Sequence, residues 1–232
     1  MNPTQTFDKT PKRPYFPEFD LPPSQNSLSF DEAGRGALAG PVSIGIVGFS
    51  KNTLKQIQNG EILEGLRDSK KLTVDKRDFF ASEVKRYASY WKVVFVSAKF
   101  IDKFNINQAI FYGINRGINS TQGDLPFLFI DGNYKIHISK SIAGYFSLTK
   151  GDDLAPSISA ASVLAKTYRD AYMEKLDRKY PGYGFSQHKG YGTEFHRNQI
   201  ERLGISPIHR LSFLKFLRKE KEESLFPYGE SI

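Results

Sequence analysis

With 232 residues, 39% of them hydrophobic and 25% charged, the chain can bury a real core but is too short for two full catalytic domains. The 33 Lys and Arg against 25 Asp and Glu leave a net charge of +8, which draws a protein toward polyanions but also serves solubility alone. Lack of cysteine excludes disulfides and thiolate metal sites, no apolar run reaches the roughly 18 residues of a membrane span, and the N-terminus shows no secretory pattern; a cytoplasmic protein is expected.

Residues 1–25 hold six of the twelve prolines and read as a poorly ordered extension, whose Phe7, Tyr15, Phe16 and Phe19 are available to dock elsewhere. A catalytic domain is expected over 26–205 and a C-terminal helix and tail over 206–232. Leu28 and Phe30 alternate with serines and lead into Asp31, as in a half-buried strand. After a glycine-rich turn, Gly34 to Gly40, strands are predicted over 42–49, 90–98, 127–130 and 144–148. Thr73 is suited to cap a helix running to about Arg86, with Phe79, Phe80 and Val84 on its apolar side. A second helix is predicted over 107–116. A third starts near Pro156, with Ile158, Ala161, Leu164, Tyr168 and Tyr172 at three- and four-residue steps. The C-terminal third is otherwise expected to be helical, with Leu211, Leu214 and Leu217 on one face. Strands and helices so interleaved argue for an α/β fold, a mixed sheet flanked by helices.

Chemistry is suggested by carboxylates at abrupt ends of apolar segments. Asp31 and Glu32 are expected to close the first strand, Asp131 ends Phe-Leu-Phe-Ile, and Asp152 precedes the Pro156 helix. Acids placed there reach the sheet edge, where ligand sites of α/β folds gather. Two like charges about 4 Å apart repel by roughly 4 kcal/mol at an effective dielectric near 20, so a cation between them is required. Oxygen ligands without cysteine favour Mg²⁺ or Mn²⁺. Each acid also has a plain structural reading. Asp31 and Glu32 fit a turn before Gly34, they face opposite ways unless the strand stops there, and Asp152 or Asp153 suits a helix N-terminus. In Gly34-Arg35-Gly36 the glycines permit close backbone approach while the guanidinium reaches a phosphate. Lys70 and Lys71 suit either solvent or a nucleic-acid backbone. The histidines His137, His188, His196 and His209 match no triad and are assigned to core or surface.

Taken together, these segments resemble the ribonuclease HII family. The resemblance rests on Asp31-Glu32-Ala33-Gly34-Arg35-Gly36 through Val42, Asp68-Ser69-Lys70-Lys71-Leu72, Ile130-Asp131-Gly132 and Lys150-Gly151-Asp152. It continues in Ile158 through Lys166 with Arg169-Asp170, and in His188-Lys189-Gly190-Tyr191-Gly192-Thr193 with His209-Arg210-Leu211-Ser212-Phe213. The blocks stand in family order from about residue 26 to 214, and together are far more specific than any one alone.

The resemblance implies a ribonuclease H-like five-stranded mixed sheet with a helical C-terminal part. It implies Asp31, Glu32, Asp131 and Asp152 as catalytic acids holding two Mg²⁺ or Mn²⁺ ions. Gly34, Arg35 and Gly36 would recognise the ribonucleotide with its 2′-hydroxyl, Tyr191 would stack on the next sugar, and Lys70 and Lys71 would contact phosphate. The implied activity is endonucleolytic cleavage 5′ to ribonucleotides in RNA/DNA hybrids and in duplex DNA containing single ribonucleotides. A non-catalytic nucleic-acid-binding relative, or an enzyme restricted to long hybrids, are the alternatives; retention of all four acids speaks against the first. Lys166 and Asp170 are assigned to structure and Asp153 to capping or solvent, while Ser159 stands where many relatives carry alanine. A monomer is expected, and Leu225 and Phe226 loosely resemble a sliding-clamp-binding peptide.

Overall fold

A computed structural model of the chain describes residues 4–6, 16–22, 24–66, 69–119, 125–132 and 142–214. Phe7, Tyr15, Asp68, His137, Leu217, Leu225, Phe226 and the side chain of Asp153, all named above, lie outside the described residues.

Among the described residues, six strands form one mixed sheet in the order β1-β6-β5-β2-β3-β4. They are β1 (Thr4–Thr6), β2 (Ser27–Ala33), β3 (Val42–Gly48), β4 (Tyr90–Val96), β5 (Phe127–Asp131) and β6 (Gly144–Leu148). The antiparallel β2-β3-β4 meander, with β5 and β6 added parallel to β2, makes the expected five-stranded core. Within residues 1–25, expected above to be a poorly ordered extension, the described segments make the sixth strand and a docked turn. Thr4–Thr6 pairs parallel to β6, and Phe16 is buried in the core with Phe19 packed beside it. Docking is further fixed by the Lys51 ammonium donating to the Glu18 carbonyl.

Helix α1 (Lys51–Gln58) was not evident in the sequence pattern, although Ser50 caps it through Thr53 N. Helix α2 (Val74–Tyr87) starts at its predicted cap, Thr73, which accepts from Lys76 N. Phe80 and Val84 face the core as expected, but Phe79 is exposed. Next come α3 (Ala98–Phe104) and α4 (Ile106–Ile118), separated only by Asn105, whose positive φ of 68° turns the chain while its side chain caps α4. After β6, α5 (Gly151–Leu154) leads into α6 (Pro156–Lys179), followed by α7 (Phe185–His188) and α8 (Glu194–Leu203). The predicted C-terminal helix is reduced, within the described residues, to one 3-10 turn at Leu211–Phe213, with Leu211 exposed and Leu214 buried. The Asp102 carboxylate accepts from both Leu211 N and Ser212 N at 2.9 Å and satisfies donors that a longer helix would leave free. Among the described residues, no helix is long and apolar enough to cross a membrane.

The sheet is covered on both faces. Leu28, Phe30, Ile44, Ile46, Leu128 and Ile130 point toward α4. The alternate residues point toward α6, which lies across β2 and β3 with α1 and α2 behind it. Helix α6 sits unusually close at Gly45, where an added Cβ would stand 2.1 Å from the Ala161 carbonyl oxygen. The small residues Ser159-Ala160-Ala161-Ser162 line that contact and are all buried.

Candidate active site

The pairing of β2 with β5 decides where the acids go. Phe30 and Ile130 are register partners, so Asp31 and Asp131 follow side by side on adjacent parallel strands, on the face toward α6. Asp131 ends β5, and Gly132, with φ of +85°, turns the chain away. The Gly151 amide donates to Asp131 Oδ1 at 2.6 Å and draws the start of α5 onto the strand end, bringing Asp152 to the same place. A side chain at Gly151 would collide with Ile158 Cδ1 at 2.6 Å.

Strand β2 does not stop at Glu32, contrary to the sequence expectation; it continues through Ala33, paired with Ser43. Alternation therefore directs Glu32 toward the other face of the sheet, where Arg35 Nη1 lies 3.5 Å from its Oε1. Asp31, Asp131 and Asp152 share one side, with Glu32 on the other.

The acids nonetheless feel one another. The buried Asp31 carboxyl is held well above the usual carboxylate range, first by burial and then by Glu32, Asp131 and Asp152; a hydrogen bond from Ser162 opposes this. Burial also raises Asp131, against amide hydrogen bonds from Gly151, Asp152 and Gly132 and the charge of Lys70. Lys70 Nζ stands 3.8 Å from Asp152 Oδ2, so it faces the acids; both it and Lys71 are exposed. Among the described residues, no three acidic or histidine side chains are drawn close enough to hold an ion as they stand. The donor set still fits a hard divalent cation. It is all carboxylate oxygen, largely buried, and its mutual repulsion is what such a charge relieves.

The turn between β2 and β3 forms the second part of the site. A Cβ at Gly34, where φ is +87°, would overlap Arg169 Nε at 1.9 Å, so only glycine lets the turn lie on that guanidinium. Gly36 has open space where a Cβ would go, leaving its backbone approachable. Arg35 Nη2 donates to Asn107 Oδ1 at 2.6 Å, at the start of α4. Beneath the turn lie two fully buried arginines that the sequence reading did not single out. Arg169 donates to the carbonyls of Pro41, Lys189 and Ala39, and Arg210 to those of Gly40 and Arg35. Their place in the motif blocks was the available signal, but only tertiary contacts reveal which carbonyls they gather. Burial and the neighbouring Arg169 charge lower Arg210 to about 9.

Tyr191 stands on the same side, 37% exposed, its ring centroid 5.4 Å from the Arg169 guanidinium and 5.9 Å from Lys166 Nζ. The amides of Leu38 and Ala39 donate to the Gly190 carbonyl, tying the Tyr191 loop to the glycine-rich turn. Asp170 is held between Lys166 at 2.8 Å and Arg77 at 3.2 Å, as fits an internal ion-pair. The sequence reading also missed Ser69 and Ser162. Their hydroxyls are 2.9 Å apart, and since Ser162 bonds the Asp31 carboxyl, Ser69 supplies the next proton in that chain.

A β2-β3-β4 meander extended by parallel strands whose ends carry acids, under one long helix, defines a protein of the ribonuclease H fold class. Three solved structures share the fold. Ribonuclease H2 from Pyrococcus horikoshii has a TM-score of 0.69 at 23% identity, covering 86% of this chain and 100% of that one. A ribonuclease HII from Archaeoglobus fulgidus, solved as a complex with PCNA, has a TM-score of 0.63 at 22% identity, covering 82% and 94%. The Bst ribonuclease HIII in complex with Mn²⁺ has 0.59 at 17%, covering 82% and 67%. In sequence, the family model described as Ribonuclease HII matches residues 28–216. Ribonuclease HII of Clostridioides difficile is 43% identical over 187 residues, 80% of this chain and 68% of that protein. That of Nitrosospira multiformis is 40% identical over 183 residues, 79% and 86%. The chain belongs to the ribonuclease HII family and is an endonuclease of the ribonuclease H type.

Proposed function

We propose that the protein cleaves the phosphodiester on the 5′ side of ribonucleotides, both in RNA/DNA hybrids and at single ribonucleotides embedded in duplex DNA. Cleavage leaves 3′-hydroxyl and 5′-phosphate ends and serves ribonucleotide removal during DNA replication and repair. The observation that carries this reading is the buried Asp31 carboxyl, placed by strand register beside Asp131 and close to an approachable glycine turn.

Asp31, Glu32, Asp131 and Asp152 would hold two Mg²⁺ or Mn²⁺ ions; a divalent metal also accompanies the Bst ribonuclease HIII. When bound, divalent ions activate the attacking water and stabilise the leaving 3′-oxygen. The chain's own residues do the rest. Ser162, backed by Ser69, orients the Asp31 carboxyl. Backbone groups of Gly34, Arg35 and Gly36, gathered over Arg169 and Arg210, meet the 2′-hydroxyl, the group that separates RNA from DNA at one position. Tyr191 packs on the sugar of the following nucleotide. Lys70 and Lys71 reach phosphate, and Lys70 also offsets the charge of Asp152. The protein is assigned to the cytoplasm as a monomer. Contact with a sliding clamp through Leu225 and Phe226 is suggested by the complex that the Archaeoglobus relative makes with PCNA; clamp binding unaffected by L225A/F226A would remove it.

The test is a cleavage gel comparing a duplex containing one ribonucleotide, a long hybrid and an all-DNA duplex, each with Mg²⁺, Mn²⁺ or chelator. A single cut 5′ to the ribonucleotide that disappears with chelator is expected. Cleavage of all-DNA, or cleavage that survives chelator, would refute the proposal.

A further inference from the structure

Two buried histidines, His196 and His209, and the half-buried His188 lie behind Tyr191 and take no part in the acid cluster. His196 is fully buried and His209 nearly so, packed around Phe185; His188 stacks on His196 with centroids 4.2 Å apart. Their hydrogen bonds fix every proton. The Ser206 backbone N–H, which can only donate, meets His209 Nδ1 at 3.0 Å, so Nδ1 is an acceptor and the His209 proton sits on Nε2. The Ser206 hydroxyl, 2.7 Å away, donates to the same nitrogen. His209 Nε2–H points at His196 Nε2, 3.1 Å away, which must then be bare. His196 therefore carries its proton on Nδ1 and donates it to the Tyr191 carbonyl at 2.9 Å. On the other side of Tyr191, the Gly190 amide donates to His188 Nδ1 at 3.1 Å, which leaves His188 Nε2–H for the Tyr183 carbonyl at 2.8 Å.

The network thus grips the peptide on either side of Tyr191. It is also anchored to the glycine-rich turn, because residue 209 bridges to Ala39 and the Gly40 amide donates to the Ile208 carbonyl. A hydrogen-bonded chain with one allowed direction is more rigid than independent contacts of the same number. We infer that Ser206, His209 and His196 form a one-way hydrogen-bond relay that positions Tyr191 against the Gly34–Gly36 turn. On this inference His196 and His209 are positioning residues for recognition of the single ribonucleotide. The inference rests on the role proposed for Tyr191. Burial, which lowers both imidazoles to about 4, keeps the relay neutral and intact at physiological pH.

The decisive measurement is a double-mutant cycle on kcat/KM, using the single-ribonucleotide duplex and a long hybrid. His209→Phe keeps a ring against Tyr183 and Phe185 but ends the relay. It is expected to cost about tenfold on the single-ribonucleotide duplex, less on the hybrid, and nothing further when Tyr191→Ala is already present. Full additivity of the two losses would overturn the relay, as would a wild-type H209F beside an impaired Y191A. An unimpaired Y191A would instead overturn the role of Tyr191 itself. A second measurement needs no variant. The ¹⁵N shifts of the wild-type imidazoles are expected to show His209 protonated on Nε2 and His196 on Nδ1 at pH 7, and the opposite tautomer at either ring would overturn the relay.

Discussion

Gly45 offers the sharpest test of how the fold sets the site. It is the register partner of Asp31, and α6 crosses the sheet directly above it. In Gly45→Ala the new methyl would stand 2.1 Å from the Ala161 carbonyl oxygen and 2.9 Å from the Ala165 amide nitrogen. Relaxed C···O contacts begin near 3.3 Å, so the helix must lift by about 1 Å. Neither obstacle is a side chain that can rotate away. Overpacking of this kind costs about 1–3 kcal/mol, within the roughly 5–15 kcal/mol by which domains are stable, so the variant stays folded at 25 °C. Ser162 moves with the helix and loses its hold on Asp31. A displacement near 1 Å at reacting groups can cost about a hundredfold. Urea unfolding and single-turnover cleavage of a one-ribonucleotide duplex measure the two effects separately. The expected result is a modestly lower midpoint with a cleavage loss far larger than the unfolded fraction explains. An unchanged midpoint with cleavage within about threefold of wild type would refute the argument that close helix approach places the acids.

Three further outcomes are expected. The raised Asp31 carboxyl means that ionising it costs the folded chain; stability is lost as pH rises from the ordinary carboxylate range and stays lost at neutral pH. Asp31→Asn should therefore raise the Tm of the metal-free protein at pH 7 while nearly abolishing cleavage, and should blunt the rise in Tm on adding Mg²⁺; a lower metal-free Tm would contradict this. His196 and His209, lowered by burial to about 4, work in the opposite sense. The unfolded chain takes up protons below about 6.5 that the folded one refuses, so stability falls between pH 6.5 and 4, by on the order of 3 kcal/mol for each ring that must stay neutral. Urea midpoints across that window should drop less in H209F than in wild type, and parallel curves would count against the assignment. Ser159→Ala removes hydroxyl bonds to the Asp152 carbonyl at 2.7 Å and the Ala155 carbonyl at 3.2 Å. A stability loss of about 1 kcal/mol with a several-fold drop in cleavage is expected, and no change in either would show that alanine serves equally well there.

The sequence alone determined the local features. Thr73 and Pro156 mark helix starts because capping and the fixed φ of proline act within one turn. The strand cores at 42–48, 90–96, 127–131 and 144–148 are legible because apolar runs between turn residues need no partner to be recognised. The motif blocks likewise carried the family, which the sequence comparisons bear out. Pairing was not legible. That β2 runs past Glu32, sending it to the opposite face from Asp31, depends on its antiparallel partner β3. Thr4–Thr6 forms a strand because β6 offers it an edge, which proline content in the neighbouring residues cannot reveal. Arg169, Arg210 and the histidines acquire their roles from carbonyls and rings far away in the chain, gathered only when α6 and the C-terminal segments close over the glycine-rich turn. Local propensity acts over a few residues, whereas a buried guanidinium or imidazole is defined by what satisfies it, and those partners are decided by tertiary packing.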